Sequence, residues 1–272
     1  MWWLATGAVS PMCVILYEYD NTIGRYRCVY ISPLTPRPCP LHPGERNYHI
    51  FYEIFAALSS ENRQAWHIPS LQDFNYVNSS GEYHRHDGER DIDNYCKLVD
   101  ALGVVNVGQS QVEQIFGIVM SILHIGNLSF KQSTQAGEDV ALFSDTCQHN
   151  VKAIELLLGI SEEALYHAMT TRSIKVAGNT IDKKLNVEGA TAARDVLAKS
   201  TYDLVFRSVL LAVNGALAVE DESEETASFI GVLDIFGFEY FQKNRWGSGQ
   251  PCKCDCAFLL NVYISAFIYI CL

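Results

Sequence analysis

The chain has 272 residues, of which 49% are hydrophobic and 19% are charged. This balance predicts a folded protein with a sizeable core and excludes a largely disordered chain. The net charge is −11, from 20 Lys and Arg against 31 Asp and Glu. We therefore expect no general nucleic-acid binding, because neutralising phosphates requires clustered cations. The nine cysteines show no regular spacing, which favours a reduced protein without a disulfide framework.

The two ends of the chain differ in composition from the middle. Residues 1–43 show no sustained hydrophobic period, and the proline-rich stretch "ISPLTPRPCPLHP" predicts neither a helix nor a central strand. Residues 256–272 carry no charge and have marginal length for a membrane span. Asn261 and Ser265 weaken that interpretation, so a tail anchor is a minor alternative. "CKCDC" lacks the usual spacing of a zinc pair, and we predict no metal site there.

Helical patterns begin at about Gly44. The spacing of apolar residues predicts a helix in "NYHIFYEIFAAL", and its stripe consists of Tyr48, Phe51, Tyr52, Phe55 and Leu58. "WHIPSLQDFNYVNSSG" is expected to be a loop. Two helices follow, "DIDNYCKLVDALGV" ending at Gly103 and "SQVEQIFGIVMSILHIG" ending at Gly126. The apolar face of the second consists of Val112, Ile115, Phe116, Val119, Ile122 and Leu123.

The second half of the chain continues this mainly helical pattern. "CQHNVKAIELLLGI" and "SEEALYHAMTT" predict two shorter helices, the second capped by Ser161. In "RSIKVAGNTIDKK", Ile174 and Val176 alternate with Lys175, which predicts a hairpin or an exposed loop. "NVEGATAARDVLAKSTYDLVFRSVLLAVNGAL" predicts one long helix, and "EDESEET" an acidic linker. The apolar run "SFIGVLD" predicts a buried strand that ends at Asp234. The fold class predicted is mainly α with a few β-strands.

The segment after this strand carries a candidate site. A carboxylate at the C-terminal end of a strand, here Asp234, can hold Mg²⁺ through water. Gly237 lets the backbone N–H approach a phosphate oxygen, and Glu239 adds a second carboxylate. On spacing alone, an ordinary strand and turn with an incidental Asp is the favoured interpretation.

Four stretches in the same order resemble the myosin motor-domain family. "VLDIFGFEYF" is similar to its switch II segment, and "GERNYHIFY" to the start of the helix after switch I. "IFGIVMSILHIGNLSF" and "LNVEGATAARDVLAKSTYDLVF" resemble two of its helices. The resemblance covers residues 44–244, flanked by the unrelated segments 1–43 and 245–272. It implies a fragment of the P-loop NTPase motor head, from its upper subdomain.

The resemblance implies an actin-based motor in the cytoplasm and cytoskeleton, driven by ATP and Mg²⁺. Asp234 would then hold Mg²⁺ through water, Gly237 would bind the γ-phosphate through its N–H, and Glu239 would help to organise the attacking water. The "RSIKVAGNTIDKK" segment would contact actin, with the candidate residues Arg172, Lys175, Asn179, Lys183 and Lys184. A solvated polar surface is the open alternative for these side chains.

Parts of the family pattern are absent from this sequence. It contains no G-x-x-x-x-G-K-[ST] loop, and no switch I segment precedes Gly44. Phosphoryl transfer depends on positioning by that loop, its Lys and Mg²⁺, so we expect this chain alone to bind ATP weakly. We also expect the strand at Asp234 to lack sheet neighbours. The alternative function is a non-catalytic helical module that binds actin or another protein.

Overall fold

The computed structural model describes residues 46–68, 70–135, 137–175 and 179–217 with their side chains. It describes residues 12–19, 24–31, 176 and 228–234 by their backbone alone. The chain divides into two units. One comprises Met1–Val9 and Thr35–Ala212, and the other comprises Ser10–Leu34 and Val213–Leu272.

Helices make up most of the described residues, and the strands form three antiparallel sheets. In chain order the elements are β1 (Met12–Tyr19), β2 (Gly24–Ile31), α1 (His49–Ala57), α2 (Ser60–Ala65), α3 (Asn75–Asn78), α4 (Asp91–Val104), α5 (Gln109–Gly126), β3 (Phe130–Gln135), β4 (Glu138–Phe143), α6 (Gln148–Leu158), α7 (Glu162–Thr170), β5 (Thr171–Val176), β6 (Asn179–Lys184), α8 (Val187–Leu217) and β7 (Ser228–Asp234). This confirms the predicted fold class.

The first predicted helix is α1, and its apolar stripe packs against α8. Tyr48, Phe51 and Tyr52 are buried, while Phe55 is partly buried. Tyr48 stacks on Tyr202 of α8, with ring centroids 4.4 Å apart. The periodicity of the sequence therefore identified part of the buried surface of α1, whereas Ile50, Glu53 and Ile54 lie off the predicted stripe and are buried as well.

Helix α5 runs through the core of its unit. The residues of its predicted face are buried or partly buried, and every residue from 119 to 126 is buried. The helix ends at Gly126 as predicted, but the reason for glycine is close packing. A Cβ at Gly126 would lie 2.5 Å from the ring of Tyr76 in α3. Only a residue without a side chain lets these two segments approach so closely.

The helices of the second half also follow the sequence patterns. Helix α6 is followed by Gly159 at φ 66°, a left-handed conformation that suits glycine. The Ser161 hydroxyl accepts a hydrogen bond from the N–H of Ala164 and caps α7 as predicted. Helix α8 is continuous over 31 residues, as the long pattern predicted.

Several parts of the chain contain structure that the sequence did not reveal. The expected loop before residue 81 includes a 3-10 helix, Leu71–Asp73, and the short helix α3. The Asn127 side chain holds them to the end of α5, since it accepts from the N–H of Asn75 at 2.8 Å and donates to the carbonyl of Asp73 at 2.7 Å. The hairpin of β3 and β4 was also missed, because "FKQSTQ" is too polar to show a strand period.

Strand β7 is the strand predicted at "SFIGVLD", but the expectation that it lacks sheet neighbours is wrong. It pairs antiparallel with β1 from Tyr19↔Ser228 to Cys13↔Asp234, and β1 pairs on its other side with β2. The two N-terminal strands were not predicted, because a short apolar run such as "MCVIL" fits a helix or a strand equally well.

Among the described residues, no helix has the length and hydropathy needed to cross a bilayer. The predicted acidic linker at 220–226 and the apolar segment 256–272 lie outside the described residues.

Candidate functional site

The predicted phosphate and Mg²⁺ site lies at and beyond the end of β7. Asp234 is the last residue of this strand and pairs with Cys13 of β1. Gly237 and Glu239 lie outside the described residues, so the roles of all three residues stay predictions. Within the part of the chain that the structure describes, no group of three or more His, Cys, Asp or Glu side chains could hold a metal ion.

The five actin-binding candidates lie on one hairpin formed by β5 and β6, which confirms the hairpin interpretation. The register runs from Thr171↔Lys184 to Val176↔Asn179. All five candidates are exposed, namely Arg172, Lys175, Asn179, Lys183 and Lys184. The hairpin therefore presents its charged side chains to solvent.

The strand register divides these five residues between the two faces of the hairpin. Directly paired residues point to the same side, and successive pairs alternate. Arg172 pairs with Lys183, and Asn179 lies four pairs further along and therefore on the same face. Lys175 and Lys184 belong to the opposite face. The sequence placed all five in one group, whereas the structure separates them.

We call the first of these surfaces the basic face, and it consists of Arg172, Ile174, Asn179, Ile181 and Lys183. Ile181 is 49% exposed, so an apolar side chain lies accessible beside the two cations. Like charges directly opposite one another destabilise a hairpin. Arg172 and Lys183 occupy such directly opposed positions.

The opposite face is turned toward α7. His167 Nε2 lies 3.6 Å from Asp182 Oδ2, and the Ser173 hydroxyl donates to Asp182 Oδ1. This hydrogen bond, helped by the neighbouring His167, lowers the pKa of the Asp182 carboxyl. Lys184 Nζ donates to Thr171 Oγ1 at 3.2 Å. Contacts within the protein therefore occupy this face, and the basic face points away from α7.

Backbone hydrogen bonds fix the base of the hairpin to its unit. The N–H of Leu185 donates to the carbonyl of Thr170 at 2.8 Å, and the N–H of Ala141 in β4 donates to the carbonyl of Leu185 at 2.8 Å. The Tyr166 hydroxyl donates to the carbonyl of Ala141 at 3.3 Å. The hairpin thus projects from a well-connected base.

A second group of charged side chains, around Arg85, was not found from the sequence. Arg85 lies in the loop between α3 and α4, and its side chain is only 11% exposed. Its Nη1 lies 3.2 Å from His49 Nδ1, 3.5 Å from Glu53 Oε1 and 3.9 Å from Asp91 Oδ1. We call this group the Arg85 cluster, and it consists of Arg46, His49, Glu53, Arg85, Asp87 and Asp91.

Two members of the cluster have displaced pKa values. Glu53 is fully buried, and neither of its carboxylate oxygens accepts a hydrogen bond. Burial, with the nearby Asp91, raises the pKa of Glu53 to about 7. Burial, with the nearby Arg85, lowers the pKa of His49 to about 4. Near pH 7, His49 is therefore neutral, whereas Glu53 is about half protonated and becomes mainly neutral below that pH.

The remaining members of the cluster are paired. Arg46 Nη2 lies 2.8 Å from Asp91 Oδ2, and its guanidinium lies 3.9 Å from the centre of the Tyr52 ring. Arg85 binds Asp87, and this hydrogen bond lowers the pKa of that carboxyl. A cleft of about 410 Å³ opens beside the cluster, lined by Arg46, His49, Glu82, His84, Arg85, His86 and Asp87.

The sequence contains one signal for Glu53, because this charged residue lies between Tyr52 and Ile54 in the mainly apolar stretch that forms α1. Arg85 gave no such signal, because it lies in a loop without any period. Of the histidines, His124 is fully buried in the core. Its Nδ1 lies 2.9 Å from Asn150 Oδ1 and its Nε2 lies 2.9 Å from the carbonyl oxygen of Trp66.

Comparison with known proteins identifies the family. The family model for the myosin head (motor domain) matches residues 36–248. Myosin-52 of Schizosaccharomyces pombe is 39% identical over 205 residues, which is 74% of this chain and 13% of that protein. Myosin-2 of Saccharomyces cerevisiae is 35% identical over 236 residues, 85% of this chain and 14% of the relative.

A plant relative agrees with these two. Myosin-14 of Arabidopsis thaliana is 35% identical over 212 residues, 77% of this chain and 14% of that protein. The chain thus spans 13% to 14% of the length of these curated relatives. With a family model matched over most of its length, the chain belongs to the myosin motor-domain family.

Proposed function

We propose that this chain forms part of an actin-based motor driven by ATP, and that the basic face of the β5–β6 hairpin is a surface that contacts actin. The observation that carries the proposal is the Arg172–Lys183 pair, two exposed cations kept directly opposite each other. Membership of the motor-domain family supplies actin as the partner. We propose that the protein is located in the cytoplasm, in association with the cytoskeleton.

The composition of the chain supports a specific role for this face. With a net charge of −11, a patch of positive charge does not arise from a general excess of Lys and Arg. A partner that presents carboxylates and some apolar surface would match Arg172, Lys183 and the exposed Ile181. Such complementary charges speed association and make it sensitive to salt.

Co-sedimentation with actin filaments tests this proposal. The Arg172→Ala/Lys183→Ala variant removes the cations of the basic face, and Lys175→Ala/Lys184→Ala removes the same charge from the opposite face. We expect the first variant to weaken binding about tenfold or more and the second about threefold or less, because desolvated charges count most at an interface. Equal losses would instead indicate attraction by charge alone, and unchanged binding in both would contradict the proposal.

For the nucleotide, we propose that Asp234, Gly237 and Glu239 have the roles that the family resemblance implies for ATP and Mg²⁺. We further propose that these 272 residues bind ATP weakly, because the sequence has no G-x-x-x-x-G-K-[ST] loop. Titration with a fluorescent ATP analogue in the presence of Mg²⁺ tests this point. Micromolar affinity that depends on Mg²⁺ would contradict it. Actin binding that does not respond to ATP is the outcome expected of this chain.

We propose that residues 44–244 are the motor portion and that most of 1–43 and 245–272 is unrelated to it, although the family model extends to residues 36 and 248. Abrupt changes in composition at both boundaries support this division. We propose that the end segments are translated intron, and sequencing the transcript tests this because they would then be absent from the fully spliced message. A spliced message that reads through both boundaries unchanged would contradict the division.

A further inference from the structure

The charges of the Arg85 cluster balance only when the cluster holds one proton. Arg46 and Arg85 carry two positive charges, whereas Glu53, Asp87 and Asp91 would carry three negative charges if all were ionised. An uncompensated charge is costly at a position as buried as that of Glu53. The arrangement of least charge therefore has one proton on an acidic group or on the neighbouring imidazole.

The hydrogen bonds indicate where this proton lies. Arg85 Nη1 is 3.2 Å from His49 Nδ1, and a guanidinium can only donate. Nδ1 must therefore be the unprotonated nitrogen of a neutral ring, because an imidazolium would face Arg85 with like charge. Glu53 is fully buried with no hydrogen bond at either oxygen, so its carboxyl is the group that takes the proton.

We propose that His49 and Glu53, one turn apart on α1, form a compensating pair that holds the Arg85 latch closed with nearly constant strength between pH 4 and pH 8. The Arg85 latch is the seating of the loop 79–90 on α1 and α4 through the Arg85 side chain. When Arg85 leaves, both groups meet water, and Glu53 loses its proton while His49 gains one. The number of bound protons then hardly changes, so the equilibrium between the closed and open latch depends little on pH.

The signs of the two contributions are opposite. For Glu53, whose pKa is raised from 4.5 to about 7, closing the latch takes up a proton, so closing weakens as pH rises between those values. For His49, whose pKa is lowered from 6.5 to about 4, closing releases a proton and strengthens as pH rises. From about pH 4.5 to 6.5 the two effects cancel.

Among the residues that the structure describes, the other titratable and charged groups that face the pair come from four parts of the chain. They are Arg46 before α1, Tyr52 on α1, Asp91 on α4, and Tyr83, Glu82, His84, Arg85, His86 and Asp87 in the loop. These groups are common to the wild-type chain and to variants at His49 or Glu53. Differences between the variants therefore isolate the pair.

Hydrogen–deuterium exchange of residues 82–90 in the full chain tests the proposal, with rates corrected for the intrinsic effect of pH. The amide of Glu89 reports on the closed loop, since it donates to the Asp87 side chain, which in turn binds Arg85. In the wild-type chain we expect the opening equilibrium to change less than about threefold between pH 5 and pH 8, because one proton per pH unit is worth tenfold.

Single variants are expected to give slopes of opposite sign. Glu53→Gln leaves His49 uncompensated, so opening should be about twentyfold greater at pH 5 than at pH 7. His49→Asn keeps an acceptor for Arg85 but leaves Glu53 uncompensated, so opening should be about thirtyfold smaller at pH 5 than at pH 7. Glu138→Gln, which changes an exposed carboxylate on β4 outside the cluster, is the control and should behave as wild type.

Two outcomes would overturn the proposal. One is a steep pH dependence of opening in the wild-type chain, and the other is the same slope in both single variants. Carbon-13 titration of the wild-type chain provides an independent check that requires no variant to fold. A Glu53 carboxyl that is fully ionised at pH 5.5, or a His49 ring that is protonated at pH 6, contradicts the pair.

Discussion

The hydroxyl of Tyr76 donates a hydrogen bond to Asp195 Oδ1 over 2.8 Å and so joins α3 to α8. Arg194 binds the same carboxylate oxygen and also donates to the carbonyl of Leu128 at 3.0 Å. This joint connects three segments that are distant in the sequence. Because α8 begins just after β6, the joint also fixes the helix that leads away from the basic face.

Replacing Tyr76 with Phe should weaken this joint. The variant loses one hydrogen bond to a charged acceptor and keeps the ring against Gly126, so we expect the free energy of unfolding to fall by about 1 to 2 kcal/mol. Urea unfolding followed by circular dichroism measures the change. The control is Tyr95→Phe, whose ring packs on Phe116 and which should change stability by less than about 0.5 kcal/mol. Equal effects would show that the Asp195 contact does not contribute.

The close approach of Tyr76 to Gly126 makes a second prediction. Gly126→Ala places a methyl group 2.5 Å from the Tyr76 ring, and we expect this overpacking to cost about 1 to 3 kcal/mol. Gly103→Ala on α4 is a matched control, because a Cβ there meets no atom within 4 Å. It should be neutral or stabilise the chain by up to about 1 kcal/mol through helix propensity. A tolerated Gly126→Ala would contradict the packing argument.

His124 should make the protein sensitive to acid. Burial lowers the pKa of His124 from 6.5 to about 4, so the unfolded chain binds a proton that the folded chain does not. Its contribution is complete above pH 6.5 and is lost as pH falls toward about 4, and it amounts to about 2 kcal/mol between pH 7 and pH 5.

Urea unfolding of the His124→Gln variant at pH 7 and pH 5 tests this expectation. The variant should be less stable at pH 7, and its stability should depend less on pH than that of the wild-type chain. His149→Gln, at an exposed position, is the control and should retain the wild-type pH dependence. The same slope in the His124 variant would locate the acid sensitivity elsewhere.

The basic face should show a conflict between stability and binding. Lys183→Glu converts the like-charged pair with Arg172 into an opposite-charged pair, and we expect it to stabilise the hairpin by about 0.2 to 1 kcal/mol. The same change should reduce actin binding. Lys175→Glu lies opposite Thr180 and relieves no repulsion, so it should not raise stability. Thermal unfolding and co-sedimentation together distinguish this conflict from a general loss of folding.

Local patterns in the sequence were sufficient for most helices, the β5–β6 hairpin and the existence of β7. Each of these depends on a period of 3.6 or 2 residues, on a cap such as Ser161, or on a stop such as Gly126. The family could also be inferred, because four short motifs occur in the same order as in the myosin motor domain. The same patterns located the basic residues of the hairpin.

The tertiary structure decided the features that depend on contacts between distant residues. Only the register shows that Arg172 and Lys183 share one face while Lys175 and Lys184 lie on the other. The pairing of Cys13 with Asp234 joins the two ends of the chain, and no local period can encode it. The environment of Glu53 arises likewise from a loop residue, Arg85, and from α4, so its raised pKa depends on packing that the sequence of α1 does not contain.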